Sequence, residues 1–221
     1  MSLILFLLGL IMGLIILIKN KIIRQNTTTL SFDEVLSKNA PFVIYLRSFQ
    51  DDGKGTPVPA GSPSIGLTVL VKYIGTYESY LIKPFTTHFK VISVGKPNEE
   101  FPELGASRLY LEDEEWKEKV AVLLKKSRYI LMRPSNSDGL NWELNYIIKE
   151  ELVHKLILTT NIGSIDNKKV REIRYNDFKS RFEDLVNIKL LNYSKKNRYI
   201  IFNEIGEPIS INRKITEHIM K

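Results

Sequence analysis

Residues 127–160 read SRYILMRPSNSDGLNWELNYIIKEELVHKLILTT, and this stretch decides the fold. Residues 128–133 are short, apolar and rich in strand formers, and a cluster of turn formers follows them. Leucine and isoleucine then recur at helical spacing over residues 140–152, and residues 155–160 form a second apolar run. The pattern predicts a strand, a polar loop, a helix and a second strand.

Glu143 is the acidic residue that this unit places at a predicted ligand-binding position. In an open α/β sheet, ligands bind at the carboxyl ends of the strands, where the loops enter the helices. Glu143 falls in the first turns of the predicted helix, at the edge of its apolar stripe, so we expect it to face a crevice there. The alternative is a solvated charge that only stabilises the amino terminus of the helix.

Four predicted strands alternate with amphipathic helices, which indicates an α/β fold with a flavodoxin-like, mostly parallel sheet and helices on both faces. These central strands are expected at 41–47, 90–95, 128–133 and 155–160. A capping box at Ser31–Glu34 predicts a short helix before them, and other helices are predicted at 76–90, 113–126, 175–187 and 215–220. Residues 198–202 and 209–211 suggest a terminal strand pair. The domain organisation is expected to be an anchor (1–24), a linker with a short helix (25–40), the main domain (41–190) and a carboxyl-terminal strand pair and helix that complete it (191–221).

The amino terminus predicts one transmembrane helix. Residues 3–18 are uncharged and almost all apolar, and they are about 24 Å long as a helix. Lys19, Lys21 and Arg24 follow the run, which places the rest of the chain in the cytoplasm by the positive-inside rule. A signal peptide would carry its charge before the run, and a buried helix would have a polar side. We therefore expect a single-pass protein of the cell inner membrane.

Composition excludes several functions. The chain has no cysteine, so it has neither a disulfide framework nor thiolate chemistry. Outside the first 26 residues, 29 basic residues face 25 acidic ones, which is too mild and too interspersed an excess for a nucleic-acid partner. The three histidines, His88, His154 and His218, lack metal-ligand spacing, so no metal site is predicted.

Motifs of several enzyme classes are also missing. Residues 53–56 lack the spacing of a phosphate-binding loop, which excludes a nucleoside triphosphatase. No Gly-x-Ser-x-Gly elbow follows a strand. The first strand is followed by Arg47-Ser-Phe, so the glycine fingerprint of a dinucleotide-dependent dehydrogenase is absent.

A polar set remains at the predicted carboxyl ends of the strands, and it suits a nucleoside or nucleotide. An arginine can hold phosphate through two hydrogen bonds, a tryptophan can stack on a base, and a carboxylate can act at a ribosyl carbon. Structural ion pairs for the arginines and core packing for the tryptophan are the alternatives. The candidate ligand-binding residues are Arg47, Ser48, Gly95, Arg108, Asn136 and Trp142, with Glu143 as the catalytic candidate.

Gly139-Leu-Asn-Trp-Glu143-Leu, on a helix between two strands, resembles the glutamate-bearing segment of Toll/interleukin-1 receptor (TIR) domains. It is also similar to the Gly-x-x-x-Glu segment of nucleoside 2-deoxyribosyltransferases. The resemblance implies a flavodoxin-like sheet and a catalytic role for Glu143 at a ribosyl carbon. In enzymatic TIR domains the substrate is NAD, and the bond to nicotinamide is cleaved.

A broader resemblance covers residues 41–160. The pattern looks like that of a group of bacterial membrane-anchored TIR-like proteins, and it consists of Tyr45-Leu-Arg-Ser-Phe49, Val94-Gly-Lys-Pro97, Leu104-Gly-Ala-Ser-Arg108-Leu-Tyr110, Trp116 and Leu140-Asn-Trp-Glu-Leu144. The family implies an NAD glycohydrolase or cyclase that self-associates when active and takes part in antiviral defence, with NAD as substrate and no cofactor. Two alternatives stay open: a non-enzymatic adaptor that senses a nucleotide or assembles with a protein partner at the membrane, and an enzyme acting on free nucleosides.

Overall fold

The computed structural model describes residues 28–49, 77–95, 105–160, 168–194, 198–211 and 215–219, together with residues 11, 14, 15 and 18. The strands are β1 (Thr29–Leu30), β2 (Phe42–Leu46), β3 (Lys90–Val94), β4 (Ser107–Leu109), β5 (Tyr129–Met132), β6 (Leu156–Thr159), β7 (Tyr199–Phe202) and β8 (Pro208–Ile211). The helices are α1 (Phe32–Ser37), α2 (Tyr77–Thr86), α3 (Trp116–Lys126), α4 (Asp138–Lys149), α5 (Lys168–Val186) and α6 (Ile215–Ile219), with a 3-10 turn at Leu152–Lys155.

One mixed, mostly parallel sheet of eight strands holds the described elements together. Its order is β1-β4-β3-β2-β5-β6-β7-β8, and only the pairs β6–β7 and β7–β8 are antiparallel. The four predicted strands β2, β3, β5 and β6 occupy the centre. Counted from β2, they stand in the order 2-1-3-4, which matches the first four strands of a flavodoxin-like sheet. The strand beyond them, β7, runs antiparallel to β6, whereas the flavodoxin pattern continues with a parallel strand.

Helices cover both faces of the sheet. Side chains alternate between the two faces along each strand, so each strand contributes to two cores. Ile44 and Leu46 of β2 point to a core that α3, α4 and α5 share. Val43 and Tyr45 point to the opposite core, which α2 and α6 close. All five β2 residues are buried, and this double burial explains why the strand is a continuous apolar run rather than an alternating one.

Local sequence signals account for most element boundaries. Ser31 caps α1 with the predicted reciprocal bonds: its Oγ accepts from Glu34 N at 3.2 Å, and its own N donates to Glu34 Oε2 at 2.8 Å. The terminal strand pair and α6 are confirmed. Three helices differ from prediction, and α2 is the first of them, because it ends at Thr86 rather than at residue 90. α3 begins at Trp116 rather than at Asp113, after a turn, and α5 begins at Lys168, before the apolar spacing becomes visible at Tyr175.

The predicted anchor falls mostly outside the described residues. Ile11, Leu14, Ile15 and Ile18 are helical, and three of them have exposed side chains. Within the part of the chain that is described, no helix combines the length and the apolar character that a membrane crossing requires. The transmembrane segment over residues 1–24 therefore stays a prediction.

Candidate active site

A cavity of about 270 Å³ opens at the carboxyl ends of β2 and β3, beside the start of α4. From β2 the chain passes to β3 on one side of the sheet, and later to β5 on the other side. Crevices form at such reversals of strand order because the flanking connections leave on opposite faces. The sheet topology therefore places the cavity where ligands bind in open α/β folds.

Glu143 forms part of the cavity wall and is held there by α4. The helix begins after Ser137, whose Oγ accepts a hydrogen bond from Leu140 N at 3.4 Å. Leu140, Leu144 and Ile147 bury the core-facing stripe of the helix. Glu143 precedes Leu144 on the rim of that stripe, and only 9% of it is exposed. The sequence expectation that this residue faces a crevice is confirmed.

Burial raises the pKa of Glu143 to about 8. Desolvation is the cause, since a charge loses its hydration in a low-dielectric site. No side chain or amide among the described residues donates a hydrogen bond to this carboxyl group. With a pKa near 8, roughly one molecule in ten carries the carboxylate at pH 7. The resting site therefore holds mostly a neutral carboxylic acid that gains charge at mildly alkaline pH or beside a cation.

Arg47 belongs to a buried ion network next to the cavity. Its Nε lies 3.1 Å from Glu78 Oε2. Arg108 binds the same carboxylate through two hydrogen bonds, Nη1 to Oε1 at 2.8 Å and Nη2 to Oε2 at 3.1 Å, and Ala106 N donates to Oε1 at 3.0 Å. One carboxylate thus serves two guanidinium groups, and Arg47 is the member that lines the cavity. The guanidinium group of Arg47 is therefore at the β2 end of the site, and a guanidinium group can hold a phosphate through two hydrogen bonds.

Four of the predicted site residues meet at the cavity: Arg47, Ser48, Gly95 and Glu143. A Cβ at Gly95 would collide with the ring of Tyr110, so any larger residue there would displace that exposed side chain.

The structure does not bring Arg108, Asn136 and Trp142 to the cavity wall. Arg108 is fully buried and pairs with Glu78. This is the structural ion pair that the sequence left open as the alternative to phosphate binding. The exposed Asn136 accepts a hydrogen bond from Asn141 Nδ2 at 3.2 Å. Trp142 packs between Trp116 and Tyr146, with ring centroids 5.0 and 5.5 Å apart.

Among the wall residues that sequence reasoning missed are Trp116, Asp113 and Ser137. Trp116, rather than Trp142, presents its ring to the cavity, and Asp113 and Ser137 add polar groups. Both Asp113 and Trp116 belong to the helix predicted over 113–126, and Trp116 also to the TIR-like pattern, but neither is a predicted site residue. The one available signal was their position after a strand end, in the turn before α3.

Metal ligands are not grouped in the described residues: no set of three or more His, Asp or Glu side chains there is placed to hold an ion. No protein-family model matches the chain, and comparisons with curated proteins and with solved structures each find no match. The TIR-like resemblance therefore stays a prediction.

Proposed function

We propose that this chain is a membrane-anchored, TIR-like effector that cleaves the N-glycosidic bond between nicotinamide and ribose in NAD. The observation that supports this most is the buried carboxyl group of Glu143, to which none of the described residues donates a hydrogen bond, in the wall of a cavity at the reversal of strand order. Acidic side chains are seldom buried without a partner, and those in clefts with displaced pKa values are candidates for catalysis.

The proposed reaction uses Glu143 as a carboxylate. The bond between C1′ and the pyridinium nitrogen breaks, and its electron pair goes to nitrogen, so nicotinamide leaves as a neutral molecule. The carboxylate faces the positive charge that develops on the ribosyl carbon. A water oxygen then bonds to C1′ and its proton passes to Glu143, which gives ADP-ribose. The pyridinium charge of the bound substrate lowers the pKa of Glu143 and so favours the reactive form.

The size and polarity of the cavity suit one half of NAD. Drug-sized ligands occupy sites of roughly 300–1,000 Å³, so a cavity of about 270 Å³ accommodates the nicotinamide riboside portion. Leu46, Val94 and Trp116 supply apolar surface for the flat ring. Arg47, at the β2 side, is placed for the phosphates that follow the ribose.

The sequence patterns add the cellular setting to this proposal. The apolar run at 3–18, followed by Lys19, Lys21 and Arg24, supports a single-pass anchor in the inner membrane with the α/β domain in the cytoplasm. We further propose that the active form is a homo-oligomer and that the protein acts in antiviral defence, as the resemblance implies.

A second function is a non-enzymatic adaptor that binds a nucleotide and assembles with a protein partner. The observation that favours it is the protonation state of Glu143. A pKa of about 8 leaves the group mostly neutral at pH 7, and a neutral carboxyl group binds a ligand by donating a hydrogen bond but does not stabilise a developing cation.

Measurement of NAD in cells and with purified full-length protein separates the two functions. We expect the wild-type chain, clustered by a fused oligomeriser, to consume NAD and release nicotinamide, and Glu143→Gln to lose this activity. Glu150→Gln is the matched control, because Glu150 caps the other end of α4 and pairs with Lys125 on the surface. Intact NAD with the clustered wild type, together with saturable nucleotide binding, would favour the adaptor.

A further inference from the structure

A second cavity, of about 470 Å³, lies at the edge of the sheet where the parallel strands begin. Pro41 precedes β2, Arg128 precedes β5 and Lys155 precedes β6, and all three line it. The candidate active site lies at the other ends of these strands. A five-residue strand such as β2 is about 17 Å long, so the two cavities face opposite directions.

The amino-terminal cavity is basic. Lys126, Arg128, His154 and Lys155 contribute to it, and none of the described lining residues is acidic. Lys126 and Arg128 are exposed. Lys155 is held in place, because its Nζ donates to Lys125 O at 2.7 Å and to Ser127 O at 3.2 Å at the end of α3. Partial burial, and then the neighbouring Arg128, lower the pKa of Lys155. A bound anion would relieve that repulsion.

Residues 25–28 form a short tether between the predicted anchor and β1, and this tether brings one corner of the edge close to the membrane. β1 is parallel to β4, so the chain enters the sheet at the same edge that carries the basic cavity. Four residues, 25–28, separate the end of the predicted anchor from the start of β1. Four extended residues span at most about 14 Å. This corner of the domain therefore stays within about 14 Å of the bilayer surface once the anchor is inserted.

An exposed apolar side chain at the same edge supports a membrane-facing surface. β7 is antiparallel to β6 and pairs Ile201 with Ile157, so the turn after Phe202 lies at the amino-terminal edge. Ile205, in that turn, is 79% exposed. An apolar side chain at a turn tip can enter the head-group region, as it does in proteins that lie on membranes.

We propose that the amino-terminal edge of the sheet is a membrane-facing surface whose basic cavity binds the head group of an anionic phospholipid. Exposed Lys and Arg attract an anionic bilayer over a short range. β5 lies four strands from β1 in the sheet, about 19 Å at the usual strand spacing, so the basic cavity comes within that range when this edge of the sheet faces the bilayer. The candidate active site then opens towards the cytoplasm, where NAD is dissolved. The inference depends on the anchor of the proposed function but not on catalysis.

The test uses the full-length chain, and its lack of cysteine permits single labelling sites. Glu151→Cys places a fluorophore on the amino-terminal edge, and Asp138→Cys places one at the start of α4 on the opposite edge; both positions are exposed. The protein is reconstituted into vesicles of phosphatidylcholine, with or without phosphatidylserine, that carry a nitroxide quencher on the head group. We expect quenching at residue 151 to exceed that at residue 138 and to increase with phosphatidylserine.

Charge variants identify the cavity. Lys126→Gln with Arg128→Gln removes two exposed charges, and we expect the phosphatidylserine-dependent quenching at residue 151 to fall by more than half. Lys117→Gln with Arg174→Gln, on helices that begin at the other edge, removes the same charge and should change nothing. Flotation with phosphatidylcholine vesicles tests the anchor separately.

Three results overturn the inference. If the protein floats but both labels are quenched equally, the anchor is supported and the membrane-facing surface is contradicted. If the protein does not float with the vesicles, both the anchor and the membrane-facing surface are contradicted. A response of the residue 151 label to millimolar inorganic phosphate, without any dependence on phosphatidylserine, shows a site for a free anion rather than for a lipid.

Discussion

The fold buries the Glu143 side chain and thereby makes ionisation of its carboxyl group unfavourable. Its carboxyl group would ionise with a pKa near 4.5 in water, and burial moves this pKa to about 8. The native state therefore binds this proton more tightly than the unfolded chain does between these two values. Stability from this residue is complete below pH 4.5, declines as the pH rises and is lost above pH 8.

Glu143→Gln is expected to stabilise the protein at alkaline pH, since the amide keeps the shape and removes the ionisation. The gain over wild type should be near zero at pH 4.5 and reach up to about 5 kcal/mol at pH 9. Thermal and urea unfolding at pH 5, 7 and 9 measure it. A gain that is the same at every pH would show that the residue does not titrate in this range.

Glu78 is expected to be structurally essential because its carboxylate binds two buried guanidinium groups. Glu78→Gln leaves Arg47 and Arg108 without their shared carboxylate, and we expect a loss of about 3–5 kcal/mol in urea unfolding. Glu115→Gln is the control, since its pair with Lys119 is exposed and exposed ion pairs contribute little to stability. Equal losses from the two variants would contradict the role of the buried network.

At the level of elements, the cap at Ser137 fixes where α4 begins and hence where Glu143 lies. Ser137→Ala should cost about 1 kcal/mol and also reduce NAD cleavage, because the first turn that carries the cavity wall frays. Ser31→Ala removes the equivalent cap of α1 at similar cost, far from the cavity in sequence, and should leave activity unchanged. Rescue of both properties by Ser137→Asn would separate capping from loss of the hydroxyl group.

Local pattern predicted most of these elements because the relevant forces act within one or two turns. Three kinds of local signal can be recognised from the sequence: the capping box at Ser31, the turn formers before α4, and the apolar runs of β2 and β5. The start of α5 at Lys168 is not visible in sequence, because its first turns are mostly polar and have no apolar stripe to mark the helical period, although lysine, arginine and glutamate are good helix formers. The late start of α3 has another reason: the acids before Trp116 satisfy helix-start preferences but occupy a turn.

At the scale of the whole molecule, the last two strands are part of the sheet and not an appendage. Tyr199 shows this most clearly: its OH donates to Leu81 O at 2.9 Å, and its ring meets Phe85 edge-on, with centroids 5.8 Å apart. Ile211, Ile215 and Ile219 close the same core.

A chain ending at residue 194 is therefore expected to lose its cooperative fold. Removal of β7 exposes the edge of β6 and opens the core beneath α2. Near-ultraviolet circular dichroism and the heat-capacity change of unfolding measure the loss. A shortened chain with a native-like melting transition would show that the main domain ends before β7.

Contacts between distant residues set the limits of sequence inference. The predicted cavity position follows from the strand order, and Glu143 could be found because one helix carries both it and the buried stripe. The partner of Arg108 could not be found, since Glu78 lies 30 residues away in an unrelated helix. Trp116 and Trp142 were interchanged for a similar reason: α3 and α4 pack together, and only that packing decides which ring faces the cavity.

The central claim is that Glu143 acts as a carboxylate on the ribosyl carbon of NAD, and the pH dependence of kcat/KM tests it most directly. The measurement uses the clustered full-length protein between pH 6 and 9.5, with Glu143→Gln beside it. Since kcat/KM reports ionisation in the free enzyme, the wild type should rise with pH to a plateau with a midpoint near 8, and the variant should show no cleavage above background. A flat profile, or cleavage retained by Glu143→Gln, would contradict the account.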